Sequence, residues 1–525
     1  MLKMVDGSGV IGVDMICPLG GAVSTPQPPN FDKIEMEGVG SLMLPNSLKA
    51  PLERVELIGN STQGENPAPD NPQEIKSAGR KSKNLFNIAD LRVGQVQKDG
   101  TINEKQIYYR TVILDVPQDG KYRITFNSND DYIMLYFTEA YANGAYSNPY
   151  IRVHAGNPNY YITLAKGKNI LSFSTHTASG NIVFTTDHNI MIAAESETLD
   201  YEPYGYFFDV KVTGKNLFNL TDNYIWGWFA SHQTQISLYN ENAVVYMPCK
   251  PNTTYTIYGR TNINGNNNVK NRVATANDFP AGGTKLHNIT ETQLSNPVTI
   301  TTDELSKYLV IMAVSDNECN IDTREQVLKQ NVSKMMVITG NAPTPYEPYH
   351  EQSMQIVLNE PLRGIGEYKD TITKDGVVRK IKRIVFDGSE DEKWGLSREH
   401  ENHINFALVI KGAITVNTGI RTMMDKFKYF GAIWNSDLLG QDMFGATLRI
   451  NMPKTLATDL QTFKTWLSQN PLTVDYVLAE SVTEPLPESV QQQLQALHSE
   501  NGTTHVFVDS GEVPCGIKLT YRKEK

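Results

Sequence analysis

The sequence predicts a mainly β protein: two tandem β-sandwich modules of the jelly-roll type, followed by an α+β C-terminal domain. Three observations lead to this prediction: a pair of motifs that occurs twice, many short segments in which apolar and polar residues alternate, and a composition rich in strand- and turn-forming residues. The chain has 525 residues, which is too many for one hydrophobic core. We therefore expect several domains.

Two short motifs recur at the spacing of one domain. KNLFN at residues 83–87 recurs at 215–219, and YEPY at residues 201–204 recurs at 346–349. Each copy has the size of a single domain, so the pattern indicates a tandem duplication rather than a solenoid. We expect the Leu and Phe of KNLFN to anchor the first strand, its Asn residues to close turns, and both Tyr rings of YEPY to be buried.

Short alternating segments fill both copies. Residues 122–126 and 254–258 alternate apolar and polar side chains, which is typical of a strand with one buried face. Further strands are predicted in the first copy at 169–173, 181–184 and 190–192, and in the second at 298–300, 309–312 and 335–338. Many short strands with few helical stretches are typical of a sandwich or jelly roll.

These signals divide the chain into five predicted parts. They are an N-terminal docking segment (1–50), a strand with a Pro-rich linker (51–81), module 1 (82–206), module 2 (207–350) and the C-terminal α+β domain (351–525). Within the last part we predict a hairpin around 374–376, helices at 455–468 and 489–497, and strands at 381–386, 471–478, 506–508 and 517–519.

Composition and charge exclude several classes of protein. A net charge of −10 lacks the basic footprint of a nucleic-acid binder. No apolar run is long enough for membrane insertion. Asp6 and Asp14 interrupt any signal-peptide core, so we expect synthesis in a cytoplasm without secretion. The four cysteines are far apart, which argues against a zinc or redox motif and favours free thiols.

The motifs that usually carry catalysis or bind metals do not occur. There is no phosphate-binding loop, no G-x-S-x-G and no H-E-x-x-H. His400 and His403 lack further ligands and are expected in a solvated loop. The calcium-like spacing that begins at Asp387 has Glu392 instead of the turn glycine and Arg398 instead of the bidentate Glu. We therefore predict no catalytic residues, no metal site and no cofactor.

Sugar binding requires exposed aromatic rings with polar neighbours, and two groups of residues are candidates. The candidates are Tyr141, Tyr146 and Tyr150 in module 1, and Tyr224, Trp226 and Trp228 in module 2. The first group lies among Asn, Gly and Ser residues, which indicates an exposed loop and makes it the better candidate. The second group alternates, so all three rings are expected on one strand face, where packing in the core is the favoured interpretation.

Three blocks of the sequence resemble phage proteins. GNSTQ at 59–63 continues through PAPDNP at 67–72 into KNLFN; EPLRGIGEYKD at 360–370 is followed by GVV; and TTHVFVD occupies 503–509. In these blocks the chain resembles a family of tail and baseplate proteins of phages that infect Gram-positive hosts. The resemblance covers most of the chain from Leu52 onward and implies galactose-binding-like, carbohydrate-binding jelly rolls. Ser82 precedes the first KNLFN where Gly214 precedes the second, and residues 1–50 match no block.

The resemblance implies a non-enzymatic virion protein of the tail tip or baseplate, made in the host cytoplasm and contacting host surface glycans during adsorption. The implied partners are other virion tail proteins, a host cell-surface glycan and further copies of the chain, since virion proteins commonly surround symmetry axes. A purely architectural tail or head-decoration protein is the main alternative. A cell-wall or capsule glycan hydrolase is the third possibility, because 58 acidic residues leave room for a carboxylate pair.

Overall fold

The structure, a computed structural model, shows a mainly β protein and confirms the predicted fold class. The described residues are 4–6, 9–11, 31–46, 49–97, 101–126, 132–137, 150–157, 159–174, 176–177, 180–181, 183–198, 200–220, 223–262, 269–315, 318–431, 433 and 439–524.

Among the described strands that precede the first module, two have nine and six residues and the others have two to five. They are β1 (Met4–Asp6), β2 (Gly9–Ile11), β3 (Phe31–Val39), β4 (Ser41–Asn46), β5 (Arg54–Ile58), β6 (Ser61–Thr62), β7 (Lys76–Ser77) and β8 (Arg80–Lys81).

Module 1 contains strands and two single turns of 3-10 helix, at Ile88–Asp90 and Thr186–His188. Its strands are β9 (Arg92–Val93), β10 (Gln95–Val96), β11 (Ile102–Asn103), β12 (Tyr109–Val116), β13 (Gly120–Thr125), β14 (Tyr132–Phe137), β15 (Tyr150–His154), β16 (Tyr160–Leu164), β17 (Gly167–Ser174), β18 (His176–Thr177), β19 (Gly180–Asn181) and β20 (Met191–Ala194).

Module 2 follows strand β21 (Tyr206–Thr213) and contains helix α1 (Arg324–Val332). Its strands are β22 (Tyr224–Trp228), β23 (Ser237–Pro248), β24 (Thr254–Tyr258), β25 (Lys270–Ala276), β26 (His287–Gln293), β27 (Val298–Thr301), β28 (Tyr308–Val314) and β29 (Met336–Thr339).

The C-terminal region contains helices α2 (Leu460–Gln469) and α3 (Glu488–Ala496) among long strands. The strands are β30 (Glu351–Leu358), β31 (Gly364–Ile365), β32 (Tyr368–Lys369), β33 (Thr371–Thr373), β34 (Gly376–Phe386), β35 (Gly395–Glu399), β36 (His403–Val409), β37 (Thr422–Met424), β38 (Gly440–Phe444), β39 (Thr447–Pro453), β40 (Leu472–Glu484), β41 (Gly502–Asp509) and β42 (Gly516–Glu524).

The two modules have the same strand order. Module 1 pairs a five-stranded sheet, β15-β14-β17-β12-β9, with a three-stranded sheet, β16-β13-β20. Module 2 repeats this as β26-β25-β28-β23-β22 and β27-β24-β29. In each module apolar side chains of both sheets form one core, as in a β-sandwich. The jelly-roll description of these sandwiches stays a prediction.

The first asparagine of KNLFN in module 1 ties the start of the module to its end. Asn84 Oδ1 accepts hydrogen bonds from the backbone N–H groups of Phe86 (2.9 Å) and Ile192 (3.0 Å). Its Nδ2 donates to the carbonyl oxygens of Ile190 (3.0 Å) and Glu202 (3.2 Å), the latter within YEPY. Asn84 is buried, so these bonds satisfy backbone groups that water does not reach.

The equivalent asparagine in module 2 makes the same four kinds of bond. Asn216 Oδ1 accepts from the N–H groups of Phe218 (3.0 Å) and Val337 (3.2 Å). Its Nδ2 donates to the carbonyls of Met335 (3.3 Å) and Glu347 (3.1 Å). The recurrence of both motifs therefore has a structural cause, because KNLFN and the residues around YEPY hold each other in place.

The expected burial of both YEPY rings is wrong for the first ring. Tyr201 and Tyr346 are exposed, whereas Tyr204 and Tyr349 are half-buried.

The C-terminal core takes strands from distant parts of the chain. One sheet has the order β30-β21-β41-β4, and another has the order β3-β42-β5-β33-β34-β40-β37. Residues 31–46 of the predicted docking segment thus form strands β3 and β4 within this core, and β21 joins it from the start of the predicted module 2. A separate four-stranded sheet, β35-β36-β39-β38, packs with helix α2 around Phe406 and Phe463.

The three sequence blocks meet in this core. The N–H of Gly59 donates to the carbonyl of Asp370 (2.7 Å), and the N–H of Gly364 donates to Ser61 Oγ (3.1 Å). A Cβ atom on Gly59 would lie 2.4 Å from the carbonyl oxygen of Arg363, so only glycine permits this approach. The third block forms most of β41. The predicted strand and linker at 51–81 are therefore held against the C-terminal core by these contacts and by the pairing of β8 with β21.

Candidate functional site

A cleft of about 1130 Å³ lies between module 2 and the sheet β30-β21-β41-β4. Its floor is the outer face of that sheet, because the alternate residues Val210 and Val212 of β21 point into the C-terminal core. Its other wall is formed by the end of β23 and the residues that follow it, together with Tyr255 of β24. Clefts of this size between two packed units are common binding sites.

Polar side chains on three neighbouring strands cover the floor, and the strand register determines which of them lie side by side. Asp209, Lys211 and Thr213 alternate along β21 and line the cleft. Their neighbours on β41 are Asp509, Phe507 and His505, and their neighbours on β30 are Gln355, Ser353 and Glu351. Four residues of strand separate Asp209 from Thr213, which is roughly 13 Å. The cleft therefore has one end with Asp209 and Asp509, a central lysine, and an opposite end where Thr213 lies between His505 and Glu351.

The central and acidic groups of the floor already have partners. Lys211 Nζ lies 3.1 Å from Glu351, and the Tyr349 hydroxyl donates to the same carboxylate. Burial opposes ionisation of Glu351, but the hydrogen bonds from Tyr349 and Lys211 outweigh it and leave the pKa of this carboxyl below its ordinary value. Gln355 Nε2 donates to Asp209 Oδ1 at 2.7 Å. These groups are thus fixed in position before any ligand enters.

The opposite wall contributes a lysine and a cysteine. Lys250 Nζ lies 5.2 Å from the centroid of the Phe507 ring, and the Lys250 N–H donates to the Tyr255 hydroxyl at 2.9 Å. Burial lowers the pKa of Lys250. Burial also raises the pKa of Cys249 to about 12, so this thiol stays protonated and does not act as a nucleophile.

Two buried polar atoms of the floor have no hydrogen-bond partner among the residues that the structure describes. They are Thr213 Oγ1 and His505 Nε2, and the two residues are direct neighbours across β21 and β41. Their side chains are 2% and 1% exposed. Burial, with a smaller contribution from the Lys250 ammonium, lowers the pKa of His505 to about 4. The imidazole is therefore neutral at pH 7 and can donate one N–H.

This shift predicts a specific dependence of stability on pH. In the unfolded chain His505 binds a proton near pH 6.5, and in the folded chain only near pH 4. The unfolded state thus binds more protons between these values, so the free energy of unfolding falls by about 3 kcal/mol as the pH drops from 6.5 to 4. Comparing urea unfolding of the wild type and His505→Gln across this range should show that the variant lacks this contribution.

A direct titration provides the control for that comparison. The imidazole signals of His505 in the intact wild-type chain, followed by NMR, should change near pH 4. A midpoint near pH 6.5 would show that the side chain is solvated and that the floor of the cleft is not buried as described.

The predicted sugar loop of module 1 falls largely outside the described residues. Tyr141 and Tyr146 lie outside them, and of Tyr150 only the backbone is described, as the first residue of β15 paired with Tyr136. Sugar binding by this loop stays a prediction.

The aromatic stripe of module 2 does not lie on one face. Tyr224 and Trp226 are half-buried against the sandwich core, with rings 5.5 Å apart, whereas Trp228 packs against the apolar cluster on the other side of the sheet. The register between β22 and β23 shifts at Trp226/Gly227, which turns the strand. Arg324 covers Trp226 at 4.4 Å, so these rings pack as the core interpretation expects and form no open platform.

The histidine pair and the acidic loop also have structural surroundings. His400 and His403 stack at 4.1 Å, and His403 is 2% exposed, so the expected solvated loop is wrong for this residue. In the part of the chain that the structure describes, no three His, Cys, Asp or Glu side chains are placed to hold a metal ion. Glu392 accepts from the N–H groups of Asp387 (2.7 Å) and Gly388 (3.0 Å) and thereby closes its own loop.

Sequence patterns did not identify the cleft. Its residues come from β21, β23, β30 and β41, which lie up to 300 residues apart. A second aromatic group, Tyr246, Phe279 and Tyr308, also went unnoticed; its rings lie 5.4–6.4 Å apart on module 2, and Phe279 is 61% exposed. The alternation of side chains in TTHVFVD could have indicated part of the cleft floor, since it places His505, Phe507 and Asp509 on one face of the strand.

No protein-family model and no curated protein matches this chain. Solved structures similar to it include T=1 particles derived from infectious bursal virus, at 8% identity over 95% of this chain and 80% of that chain, with a TM-score of 0.10. Another is the infectious bursal disease virus Gx strain, at 8% identity, 95% and 83% coverage and a TM-score of 0.11. Scores this low carry no argument about fold or function.

None of the described helices is long and apolar enough to cross a membrane.

Proposed function

We propose that this chain is a non-enzymatic structural protein of a phage tail tip or baseplate that binds host surface glycans during adsorption. The cleft between module 2 and the C-terminal sheet carries the glycan-binding part of this proposal. Saccharides are bound where aromatic rings stack on their apolar faces and polar side chains receive their hydroxyl groups. The cleft offers the half-buried rings of Tyr349 and Phe507 beside the polar side chains of its floor.

The virion part of the proposal is supported by the three blocks that resemble tail and baseplate proteins. The second and third blocks and the GNSTQ part of the first lie in or against the C-terminal core, whereas KNLFN belongs to module 1. In such an arrangement the core contacts other tail proteins and further copies of the chain, while the modules face the host. The site of action is the phage tail.

The test is saturable binding of the intact chain to glycans on an array and to purified host cell wall. The intact chain is needed because β21 pairs with β30 and β41, so a fragment that ends at residue 350 would lose the floor of the cleft. Tyr349→Ala is expected to weaken binding three- to tenfold through loss of ring contact. Tyr204→Ala, the equivalent change in module 1, is the matched control and should bind as the wild type does.

Other outcomes of this experiment separate the alternatives. Binding that is lost on replacing Tyr141, Tyr146 and Tyr150 by alanine, but not with Tyr349→Ala, would place the glycan on module 1. Absence of saturable binding by the folded chain would contradict glycan recognition and favour a purely architectural tail or head-decoration protein. Release of reducing sugar from the cell wall would contradict a non-enzymatic role.

A further inference from the structure

We propose that the Thr213–His505–Lys250 end of the cleft is a subsite for an anionic group, a phosphate or a carboxylate, carried by the bound saccharide. This inference rests on the proposed glycan binding and adds the chemical class of the ligand. Two independent observations carry it, both made on the described residues: buried polar atoms without hydrogen-bond partners, and a lysine that forms no ion pair with a carboxylate.

The unpartnered atoms indicate that the floor is incomplete without a ligand. Thr213 Oγ1 and His505 Nε2 are shielded from solvent, and neither atom forms a hydrogen bond within the described part of the chain. Buried polar groups are hydrogen-bonded in nearly all cases, and an exception calls for an explanation. These two residues face each other across neighbouring strands, so one ligand group can satisfy both.

The lysine determines the charge of that ligand. No carboxylate in the described part of the chain forms an ion pair with Lys250, which lies over the Phe507 ring next to His505 on β41. A half-buried ammonium, a hydroxyl and a neutral imidazole together supply donors to an anion. One carboxylate flanks the subsite, since Glu351 is the neighbour of Thr213 on β30, but the Lys211 ammonium balances its charge and the Tyr349 hydroxyl donates to it. Asp209 lies roughly 13 Å along the strand.

The distribution of polar groups along the cleft favours a saccharide that carries an anionic group over a free inorganic anion. The acidic end, formed by Asp209 and Asp509, can only accept hydrogen bonds, which suits sugar hydroxyl groups. A saccharide that lies along β21 would place hydroxyl groups at that end and its anionic group at Thr213, His505 and Lys250.

The experiment is calorimetric titration of the intact chain, in phosphate-free buffer, with inorganic phosphate, D-glucuronate and D-glucose. We expect the two anions to bind at least tenfold more tightly than glucose. Lys250→Met should weaken binding of the anions by about ten- to a hundredfold, which is the effect of losing one charged hydrogen bond. Lys285→Met is the matched control, because Lys285 is exposed on module 2 and does not line the cleft.

Thr213→Val is a second variant that keeps the side-chain shape and removes the hydroxyl, and it should also weaken anion binding. Tighter binding of phosphate would assign a glycosyl phosphate, and tighter binding of glucuronate a uronic acid. Equal affinity of the wild type and Lys250→Met for both anions, or no anion binding by the wild type, overturns the proposal. If a host saccharide binds the wild type and Lys250→Met with equal affinity, the anion subsite is contradicted while the proposed glycan binding stands. Anion binding without any saccharide binding would sink the proposed function alone.

Discussion

Glu318→Ala is expected to destabilise module 2 by about 3–5 kcal/mol, because it leaves Arg260 as a buried charge without a counter-ion. The two side chains are 0% and 1% exposed. Arg260 donates to Glu318 and to the carbonyl oxygens of Ala313 (2.9 Å) and Lys270 (3.2 Å). Asn331 Nδ2 donates to the same carboxylate at 3.1 Å. Removing the carboxylate thus leaves several buried donors unsatisfied at once.

Amide hydrogen exchange in β24 and β28 measures this loss within the intact chain, because it reports the opening of module 2 separately from that of the other units. Glu291→Gln is the control. Its partner Arg272 lies 2.7 Å away, but the two side chains are 27% and 18% exposed, so the change should cost at most about 1 kcal/mol. Equal losses for the two variants would contradict a role of the buried pair in stability.

Asn84→Ala and Asn216→Ala are each expected to destabilise their own module by about 4 kcal/mol. Each side chain makes four hydrogen bonds with buried backbone groups, and each such bond is worth about 1 kcal/mol when its partner is left unpaired. The bonds recur in both modules, so the two losses should be similar. Hydrogen exchange in β20 and β29 resolves them.

Two further variants test the cause of that loss. Asn84→Asp keeps the acceptor for the two N–H groups but places a buried carboxylate oxygen against the carbonyl oxygens of Ile190 and Glu202, so at pH 7 it should cost at least as much as Asn84→Ala. Asn87→Ala removes only the cap of a short 3-10 turn, where Asn87 Oδ1 accepts from the Ala89 N–H at 3.1 Å, and should cost about 1 kcal/mol. If Asn84→Ala costs no more than Asn87→Ala, the motif does not hold the ends of the module together.

Most strands of the modules were predictable because their evidence is local, but the expected strand at 181–184 was wrong, since residues 183 and 184 lie in no strand. The expected strands at 254–258 and 298–300 correspond to β24 (Thr254–Tyr258) and β27 (Val298–Thr301), and the expected hairpin corresponds to the Thr373–Gly376 pair of β33 and β34. Alternation of side chains appears directly in the sequence when one face of a strand is buried. The two C-terminal helices were found for the same reason, since their apolar residues recur at helical spacing.

The pairing of distant strands was not predictable from such patterns. Strand β4 pairs with β41 although more than 400 residues separate them, and β21 leaves its predicted module to join β30 and β41. Alternation indicates that a strand has a buried face, but it does not name the partner strand. For this reason residues 31–46 were expected only as part of a docking segment.

The candidate site shows the same limit. The repeated motifs pointed to the modules, and the aromatic residues chosen there pack into the core, as Trp226 does, or lie outside the described residues, as Tyr141 does. The cleft arises only when the polar face of β21 and β41 meets the end of β23. Thr213 and Lys250 carry no signal of their own in the sequence, because the function proposed for them depends on what lies opposite.

Hydrogen exchange of the intact chain with and without its bound host glycan is the most direct measurement of whether the cleft is the binding site. We expect glycan to slow exchange in three stretches that meet only there: Asp209–Thr213 of β21, residues 247–250, and residues 505–509 of β41. Protection confined to the strands of module 1, or no change in these three stretches at saturating glycan, would contradict the assignment of the cleft as the glycan site.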